Sequence, residues 1–459
     1  MKIPSIKVLK FGKKEAVLDT PPRESHESDE SKSSDCSDES ILRNIPEKVG
    51  TLELSRLYHT VKKPPTFLPM PKAHRHFPSQ PTPLNEAAKF LTTEFPQPAL
   101  PGVTRPFRIL AIDGGGVRGI LPAAILRQLE VEAGKPISEM FDLIAGTSTG
   151  AILATMLALP ESKGSTKPKF SANDGVGLYL DRCPEIFHTT LLRRIKTLSG
   201  LASAQYSGAC KRKVLEEYMG DTRISDLLVD IIVPSFDIRE GRPYFFKSSK
   251  ARRDPKCDYL LTDVLDATSS APTYFAPHKV EGYDAPKEFG YRSFVDGALT
   301  ANSPALCALA EAYRNYGADP ANTVLVSLGC GASEVGVDHE VAKHWGGLSW
   351  APFFPNVMLS SSVNTVHYQL AHVVPPAHYF RVQTDIPAAH ADIDNVTKSN
   401  LNWLADHGSS VASACRSQLK NLATLLHELD AGPFKKFADP MPTPDSSIVQ
   451  TSPLDSFLL

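Results

Sequence analysis

Two glycine-rich turns lie near each other in the sequence, and each one joins a short apolar run to a segment with helical spacing. The first, DGGGVRG, occupies residues 113–119 and follows the apolar run FRILAI at 107–112. The second, GTSTG, occupies residues 146–150 at the end of FDLIAG, 141–146. A strand, a sharp turn and a helix in succession form the repeating unit of sheets that carry helices on their faces. The two turns therefore predict an α/β domain.

The same alternation of strands and helices continues towards the C-terminus. Apolar runs predict further strands at 229–236, 242–248, 292–296, 323–329 and 378–385. Helical spacing predicts helices at 121–134, 150–159, 211–220, 260–270 and 304–317. A last helix is expected to begin near Ser409. Its apolar stripe consists of Val411, Cys415, Leu419, Leu422, Leu426 and Leu429. Alternation of this kind favours a largely parallel central sheet.

Both ends of the chain have compositions that cannot build a core. Residues 23–40 hold seven serines and seven acidic side chains, so almost nothing there can be buried. Eleven prolines follow between residues 64 and 106, and this spacing forbids long helices. We therefore expect a disordered extension over 1–100, a folded domain over 107–430 and a flexible tail over 431–459.

Composition and charge exclude several classes of protein. Lys and Arg number 49 against 51 Asp and Glu, so the net charge is −2 and indicates no nucleic-acid partner. No apolar run approaches the ~20 residues of a membrane-spanning helix, and lysines interrupt the first residues before a secretory signal could form. Seven scattered cysteines without a CxxC pair favour a reducing compartment. We expect a cytoplasmic protein, with leaderless secretion as the alternative.

The first glycine turn has three interpretations. Gly114, Gly116 and Gly119 satisfy the G-x-G-x-x-G pattern of a dinucleotide site, but the next strand ends without the carboxylate that would hold a ribose. Three consecutive glycines also allow several backbone N–H groups to face one point beside a helix N-terminus. Such a cluster binds anions, including the oxyanion of a transition state. The third interpretation is a structural tight turn.

The second glycine turn has the G-x-S-x-G pattern of a nucleophile elbow, in the strand–turn–helix context that this motif requires. The sharp turn is expected to hold the serine in a strained backbone geometry, while Gly146 and Gly150 leave room for the chain and for a substrate. Ser148 Oγ would project at the N-terminus of the next helix, whose dipole favours developing negative charge. Ser148 is therefore the candidate nucleophile.

A serine nucleophile needs a base, and two kinds of residue could supply it. In α/β-hydrolases the base is a histidine. Candidates of this kind are His339, His344, His367, His372 and His407. The stronger candidate is Asp296, in VDGALTANSP at 295–304, which ends a predicted strand before a glycine turn. In a parallel sheet, that position lies on the rim where ligands bind.

Three motifs in a fixed order resemble those of the patatin-like phospholipases. They are DGGGVRG at 113–119, GTSTG at 146–150 and DGA at 296–298. Two flanking segments, ATSSAPTYFAP at 267–277 and VSLGCG at 326–331, are similar to further stretches of that family. Ala298 stands where many members have glycine, and Cys330 where threonine is common. Neither difference removes a side chain that the family's mechanism uses.

The resemblance implies a three-layer α/β/α sandwich with a mostly parallel central sheet, and a Ser–Asp dyad without a catalytic histidine. Ser148 would be the nucleophile and Asp296 the base. The amides of the glycines would form the oxyanion hole, with Arg118 nearby. The oxyanion-hole glycines are Gly114, Gly115 and Gly116, and the other motif positions are Asp113, Gly119, Gly146, Gly150, Gly297 and Ala298.

We therefore predict a hydrolase that cleaves the fatty-acyl ester bonds of phospholipids and related glycerolipids at a membrane or micelle surface. No cofactor or metal is expected, because the sequence has no acidic calcium loop and no metal-ligand spacing. A histidine-dependent esterase for small soluble esters and a non-catalytic lipid-binding module are the alternatives. Basic clusters at 193–196, 211–213 and 252–256 would steer the protein to anionic lipid or be solvated helix faces. The polar loop 160–175 is either a mobile lid or an ordinary surface loop.

Overall fold

An eight-stranded mixed sheet forms the centre of the fold. The structure is a computed structural model that describes residues 105–189 and 203–429, apart from 283–284, 287–289, 334–335 and 352. The strands are β1 (Phe107–Ile112), β2 (Leu143–Gly146), β3 (Asp230–Asp237), β4 (Arg242–Lys247), β5 (His278–Glu281), β6 (Tyr291–Val295), β7 (Thr323–Leu328) and β8 (Tyr379–Val382). Their order is β5–β6–β3–β2–β1–β7–β8, and β4 also pairs with β3.

Five neighbouring strands, from β3 through β2, β1 and β7 to β8, run parallel. The last residue of β1, Ile112, pairs with Gly146 of β2 on one side and with Leu328 of β7 on the other. The pairs β3–β4, β3–β6 and β5–β6 are antiparallel. The carboxyl ends of the parallel strands therefore meet along one edge of the sheet. We call this edge, marked by Ile112, Gly146 and Leu328, the carboxyl rim.

Nine helices of eight or more residues lie in the described ranges. They are α1 (Ile120–Ala133), α2 (Thr149–Ala158), α3 (Ala172–Ile186), α4 (Gly208–Met219), α5 (Leu261–Thr268), α6 (Ala305–Tyr316), α7 (Phe354–Val373), α8 (Lys398–Ala414) and α9 (Arg416–Glu428). One-turn α-helices also form at Ile137–Met140, Ser248–Ala251, Ala298–Ala301, His339–Ala342 and Gly347–Trp350.

Alternate side chains of β1 enter two separate apolar cores, because successive residues of a strand point to opposite faces. Leu110 and Ile112 pack in the larger core, with α1, α2, α3, α5, α8 and α9. Ile109 and Ala111 pack on the other face, with α6 and α7. Full burial of one such leucine or isoleucine stabilises the fold by about 1.5–3 kcal/mol. The three-layer α/β/α sandwich predicted above is confirmed, with a parallel centre and an antiparallel edge.

The predicted strands all form, with small shifts at their ends, but three elements besides the one-turn helices are missing from the prediction. They are the short strand β5 and the helices α3 and α7. The helix α7 carries no apolar stripe, since Leu370 is its one buried residue. The C-terminal stripe from Val411 to Leu429 was assigned to one helix that begins near Ser409. Both the single helix and its start were wrong, because α8 already begins at Lys398. The chain leaves helical geometry at Cys415 (φ −92°, ψ 9°), and the stripe continues on α9.

The predicted extension over 1–100 and the predicted tail over 431–459 lie outside the described residues, as does the basic cluster at 193–196. None of the helices in the described ranges combines the length and the apolar character that crossing a bilayer requires.

Candidate active site

Ser148 lies at the turn between β2 and α2, where the chain reverses direction sharply. Its backbone has φ 53° and ψ −121°, which is an unusual conformation for a residue with a side chain. Holding a residue there costs on the order of 1–3 kcal/mol, which the surrounding structure must offset. Ser148 is also the N-cap of α2, but its side chain makes no capping hydrogen bond to the helix. The hydroxyl at the positive end of the helix dipole is thus available for another partner.

Gly150 allows this turn to pack directly against the central strand. A Cβ atom at Gly150 would lie 2.3 Å from the carbonyl oxygen of Ile112. Any side chain at this position would push the turn away from the end of β1. The second glycine of the G-x-S-x-G pattern is therefore explained by a close backbone approach, which only glycine permits.

Asp296 reaches Ser148 from the antiparallel strand β6. At Ile232, β3 pairs with both β2 and β4, and at Phe236 it pairs with both β4 and β6. Because β4 occupies one edge of β3, the strands β2 and β6 both lie along its other edge. On that edge β6 runs towards the carboxyl end of β2. The Ser148 hydroxyl donates a hydrogen bond of 2.8 Å to Asp296 Oδ2.

We predicted this proximity from the wrong strand direction. Asp296 was expected on the carboxyl rim as the end of one more parallel strand. The strand that carries it is antiparallel, and its C-terminal end would normally lie at the opposite edge of the sheet. Asp296 reaches Ser148 because β6 is displaced along β3, so that its end faces the end of β2.

Asp296 is only 4% exposed, and this burial raises its pKa to about 6. Three groups oppose the effect by favouring the carboxylate. They are the Ala298 N–H, which donates to Oδ1 at 2.8 Å, the Ser148 hydroxyl and the positive charge of Lys211. At neutral pH the side chain is therefore mainly ionised, yet it is a stronger base than an ordinary aspartate.

Lys211 lies in the interior beside Asp296, although its sequence neighbours suggested a surface cluster at 211–213. It is only 2% exposed, and Nζ lies 2.9 Å from Asp266 Oδ1. Nζ also donates to the hydroxyls of Ser269 and Ser270, at 3.1 and 3.3 Å. Burial lowers the pKa of Lys211, and the Asp266 carboxylate opposes that effect. The assignment of Lys211 to a solvent-exposed cluster was wrong.

The sequence contains a signal that could have identified Lys211. The buried residues of α4 are Lys211, Val214, Leu215 and Met219, so the lysine occupies a position in the apolar stripe. A lysine in such a stripe is rarely buried without a charged partner. Here the partner is Asp266, on α5.

The glycine turn at 113–119 lies next to Ser148. A Cβ atom at Gly114 would lie 3.5 Å from Ser148 Cβ. The Gly114 N–H was predicted to face an oxyanion. In the structure it donates instead to the Asn302 carbonyl oxygen at 3.0 Å. The N–H groups of Gly115 and Gly116 make no hydrogen bond to any described residue. Gly116 has φ +59°, a conformation that favours glycine.

Arg118 and Asp113 shape this turn from its two ends. Arg118 Nε donates to the Gly115 carbonyl oxygen at 3.3 Å, and burial lowers the pKa of Arg118. Asp113 is buried and lies 2.6 Å from Arg381 of β8, while the Cys330 thiol donates to its carbonyl oxygen at 3.1 Å. These contacts fix the start of the turn on the sheet. Asp113 is thus a structural residue.

The remaining motif positions provide close packing around the two turns. A Cβ atom at Gly119 would lie 2.4 Å from the Tyr179 hydroxyl, and one at Gly297 would lie 2.1 Å from the Pro234 carbonyl oxygen. A Cβ atom at Gly146 would lie 2.4 Å from the Gly150 carbonyl oxygen. No side chain is needed at position 298, because the contact to Asp296 comes from the Ala298 backbone.

Among the described residues, no histidine is hydrogen-bonded to Ser148. His367 Nδ1 lies 3.1 Å from the Tyr379 hydroxyl, and His407 Nε2 lies 3.0 Å from the Thr384 hydroxyl. The other three candidates, His339, His344 and His372, have exposed side chains. The geometry therefore favours Asp296 over a histidine as the partner of Ser148.

Two further expectations can be compared with this geometry. The range 160–175 was predicted to be a loop, but its last four residues form the first turn of α3. The loop follows the C-terminal end of the ten-residue helix α2, so it starts about 15 Å along the helix axis from Ser148. This position does not suit a lid over the serine. Within the described ranges, no group of three or more His, Cys, Asp or Glu side chains could hold a metal ion.

Comparison with known proteins gives a consistent result. A family model described as Patatin-like phospholipase matches residues 110–309, a range that contains both Ser148 and Asp296. Patatin-like protein 1 from Arabidopsis thaliana is 32% identical over 353 residues, which are 70% of this chain and 84% of that protein.

Two other relatives are similar to the chain to the same degree. Patatin-like protein 2 from Arabidopsis thaliana is 34% identical over 340 residues, which cover 66% of this chain and 82% of that protein. Patatin-16 from Solanum tuberosum is 31% identical over 330 residues, which cover 66% of this chain and 83% of that protein.

Proposed function

The chain belongs to the patatin-like phospholipase family, and from that premise we propose that it is a lipid acyl hydrolase with a Ser148–Asp296 dyad. Its substrates are the fatty-acyl esters of phospholipids and related glycerolipids. The observation that carries the proposal is the 2.8 Å hydrogen bond from the Ser148 hydroxyl to the buried Asp296 carboxylate. It joins a hydroxyl in a nucleophile elbow to a base of raised pKa.

In the first step, Ser148 Oγ attacks the carbonyl carbon of the ester while its proton passes to Asp296 Oδ2. The carbonyl π electrons move to oxygen, which becomes the oxyanion of a tetrahedral intermediate. When this intermediate collapses, the bond to the alcohol oxygen breaks, and Asp296 returns the proton to that oxygen. The products of this step are the free alcohol, here a lysolipid or a partly deacylated glycerol, and an acyl-enzyme on Ser148.

In the second step, a water molecule takes the place of the alcohol. Asp296 accepts a proton from the water while the water oxygen attacks the acyl carbon. A second tetrahedral intermediate forms. Its collapse breaks the bond to Ser148 Oγ, which regains the proton from Asp296. A free fatty acid leaves and the dyad is restored, so atoms and charge balance over the cycle.

The oxyanion in both steps would be stabilised by the N–H groups of Gly115 and Gly116 together with the N-terminus of α2. Both amides are without a hydrogen-bond acceptor among the described residues, and their turn lies beside Ser148. One donor of this type typically contributes about 3–4 kcal/mol to lowering the barrier. We assign no such role to Gly114, because its amide is occupied by Asn302.

Burial explains how an aspartate can replace histidine as the base. An exposed aspartate has a pKa near 3.9 and would accept the serine proton poorly. In the interior its pKa is about 6, so the carboxylate is a better acceptor and is still ionised at neutral pH. The hydrogen bond to Ser148 also orients the hydroxyl before the substrate arrives.

We also propose that the enzyme works in the cytoplasm. Cys183 and Cys330 are buried as free thiols, and burial raises the pKa of each to about 12. Buried thiols without disulfide partners suit a reducing compartment.

A serine-directed fluorophosphonate and a defined lipid test the proposal together. The wild-type protein should be labelled covalently and should release fatty acid from phosphatidylcholine, with the products identified by mass spectrometry. Ser148→Ala should abolish both signals, and Asp296→Asn should reduce turnover by orders of magnitude in a folded protein. The double variant should be little worse than either single variant, because both residues act in one step. Full turnover in Asp296→Asn, or its loss on replacing His367 or His407, would contradict the dyad.

A further inference from the structure

The segment from residue 344 to residue 380 contains no Asp, Glu, Lys or Arg. It is bounded by Lys343 and Arg381 in a chain of which 22% of the residues are charged. It includes α7 and two of the three tryptophans, Trp345 and Trp350. A segment of this composition would normally be buried.

The N-terminal half of α7 is instead exposed. Phe354 is 57% exposed and Met358 is 46% exposed, and Val357 and Trp350 are exposed as well. A surface helix of a globular protein usually places charged side chains on its solvent face, and α7 has none. A contiguous exposed apolar patch usually marks a site of interaction with a protein or a membrane.

The topology places this exposed part at the rim that carries Ser148. The helix α7 lies on the connection between the parallel strands β7 and β8, so it begins on the side of the carboxyl rim and ends near the start of β8. Its twenty residues span about 30 Å, whereas the six residues of β7 span about 20 Å. Val366 and Leu370 pack the C-terminal half on the sheet. The first turns of α7 therefore extend past the carboxyl rim.

A second contact places α7 beside the segment that follows Asp296. The helix α7 packs against the one-turn helix Ala298–Ala301, which begins two residues after Asp296. Leu299 of that helix is 50% exposed. Five exposed apolar side chains, Leu299, Trp350, Phe354, Val357 and Met358, thus lie on α7, on the one-turn helix before it and on the short helix that packs against it. We call these five residues the apolar face.

The aromatic residues next to α7 are of the type found at lipid headgroups. The Trp345 and Trp350 rings have centroids 5.2 Å apart, and the Trp345 and Phe353 rings have centroids 4.6 Å apart. Tryptophan is enriched where a protein meets the interfacial region of a membrane, because its ring is apolar and its N–H is polar. Apolar side chains of a helix lying in that region insert at the boundary between headgroups and acyl chains.

We propose that the apolar face docks the enzyme on the surface of a lipid bilayer or micelle, with the active site turned towards the lipid. The inference rests on the proposed function in one respect, since it assumes that the ester substrate lies in that surface. The absence of charge indicates that docking works by insertion of apolar side chains and not by attraction to anionic headgroups. Zwitterionic phosphatidylcholine should therefore be sufficient for binding, and added salt should change it little.

Flotation with phosphatidylcholine vesicles tests the docking separately from catalysis. The full chain carries Ser148→Ala in every sample, so that hydrolysis cannot alter the vesicles. The test variant is Phe354→Gln with Met358→Gln. The matched control is Val131→Gln with Tyr313→Gln, because these side chains are 66% and 51% exposed near the C-terminal ends of α1 and α6, away from the carboxyl rim.

We expect the test variant to bind vesicles at least tenfold more weakly than the parent, and the control to bind like the parent. With Ser148 restored, the test variant should lose hydrolysis of vesicle lipid but keep its turnover of a soluble short-chain ester. Equal binding by the two variants would overturn the proposal. Binding that requires anionic lipid would also overturn it. A dimer in sedimentation that the test variant converts to monomer would do the same, because the apolar face would then be a contact between two copies.

The two proposals can fail independently. Vesicle binding that depends on Phe354 and Met358, without fatty-acid release from any lipid by the wild-type protein, supports the docking surface and contradicts the proposed function. Fatty-acid release that is unchanged in the test variant supports the proposed function and contradicts the docking surface.

Discussion

Thr268 joins Ser148 to the turn that follows Asp296: its hydroxyl accepts a hydrogen bond from the Ser148 N–H at 3.1 Å. The same hydroxyl donates to the Pro234 carbonyl oxygen at 2.6 Å, and the Thr268 carbonyl oxygen accepts from the Gly297 N–H at 2.9 Å. One residue of α5 thus holds both the strained turn of Ser148 and the turn that follows Asp296. A residue outside the Ser148–Asp296 pair therefore helps to hold the two side chains at hydrogen-bonding distance.

Thr268→Val should therefore reduce turnover at least tenfold while Thr268→Ser keeps most of it. Valine has the same shape as threonine but removes the acceptor of the Ser148 N–H and the donor to the Pro234 carbonyl oxygen, which costs about 1–3 kcal/mol of stability. Serine retains the hydroxyl. The measurements are kcat on a soluble ester and the free energy of unfolding for both variants. Equal kcat values in valine and serine variants would show that the hydrogen bond does not position Ser148.

Asp296→Asn should stabilise the fold at alkaline pH although it inactivates the enzyme. Burial raises the pKa of Asp296 to about 6, above its ordinary value of 3.8, so the folded state binds this proton more tightly than the unfolded state. The free energy of unfolding therefore falls as the pH rises from about 4 to 6, and the cost stays constant above that range. At pH 8 the asparagine variant should be more stable by up to about 3 kcal/mol. Denaturant unfolding at pH 4.5 and pH 8 measures the difference, and an equal difference at both pH values would contradict the prediction.

Lys211 should control the acid limb of the pH–rate profile. Turnover requires ionised Asp296, so kcat/KM should fall as the pH decreases through about 6. Lys211→Met removes the positive charge that favours the carboxylate, so the limb should move to higher pH, whereas Lys211→Arg should leave it close to the wild-type position. Lys211→Met with Asp266→Leu controls for the unpaired Asp266 carboxylate. A residue that merely supports the fold would lower the rate without moving the limb.

Gly115→Ala should impair turnover through a single steric contact. A Cβ atom at Gly115 would lie 2.4 Å from Cys330 Cβ, so the loop must move and its amide must shift. Turnover should drop by about 100–1,000-fold, the usual effect of losing an oxyanion-hole donor. Adding Cys330→Gly to the same chain removes the clashing atom and should recover part of the loss, whereas Cys330→Gly alone is the control. Near-normal turnover in Gly115→Ala, with a lowered melting temperature, would argue for a purely structural turn.

Residues 1–104 should be dispensable for folding and for ester hydrolysis, whereas Arg105 should be needed for full stability. Arg105 forms a bidentate pair with Asp142, with both N–O distances at 2.8 Å, so we expect the folded domain to need Arg105 in addition to the predicted residues from 107 onwards. A fragment of residues 105–459 should keep the melting temperature and the short-chain ester turnover of the full chain. A fragment of residues 107–459 lacks the Arg105 pair and should melt at a lower temperature. Loss of folding in the longer fragment would assign a structural role to residues 1–104.

The local elements around the active site are determined by the sequence. The runs at 107–112 and 323–329 are apolar and short, so they can form strands in almost any surroundings that bury them. The elbow at Ser148 also depends on nearby parts of the chain. A Cβ atom at position 150 would clash with the end of β1, and β1 is the strand that precedes β2 and the elbow. For this reason, the candidate nucleophile and the glycine turn could be named from residue patterns, and the order of the motifs was sufficient to indicate the family.

Tertiary structure decides which of these groups meet and how strong a base Asp296 is. Its contact with Ser148 depends on the displacement of β6 along β3, which no local pattern encodes. The raised pKa of Asp296 and the pairing of Lys211 with Asp266 both come from burial by elements distant in sequence. The exposure of the charge-free helix α7 is decided in the same way, because composition alone would place it in the core. Local sterics can be read from neighbouring residues, whereas desolvation and charge pairing depend on everything that packs around a group.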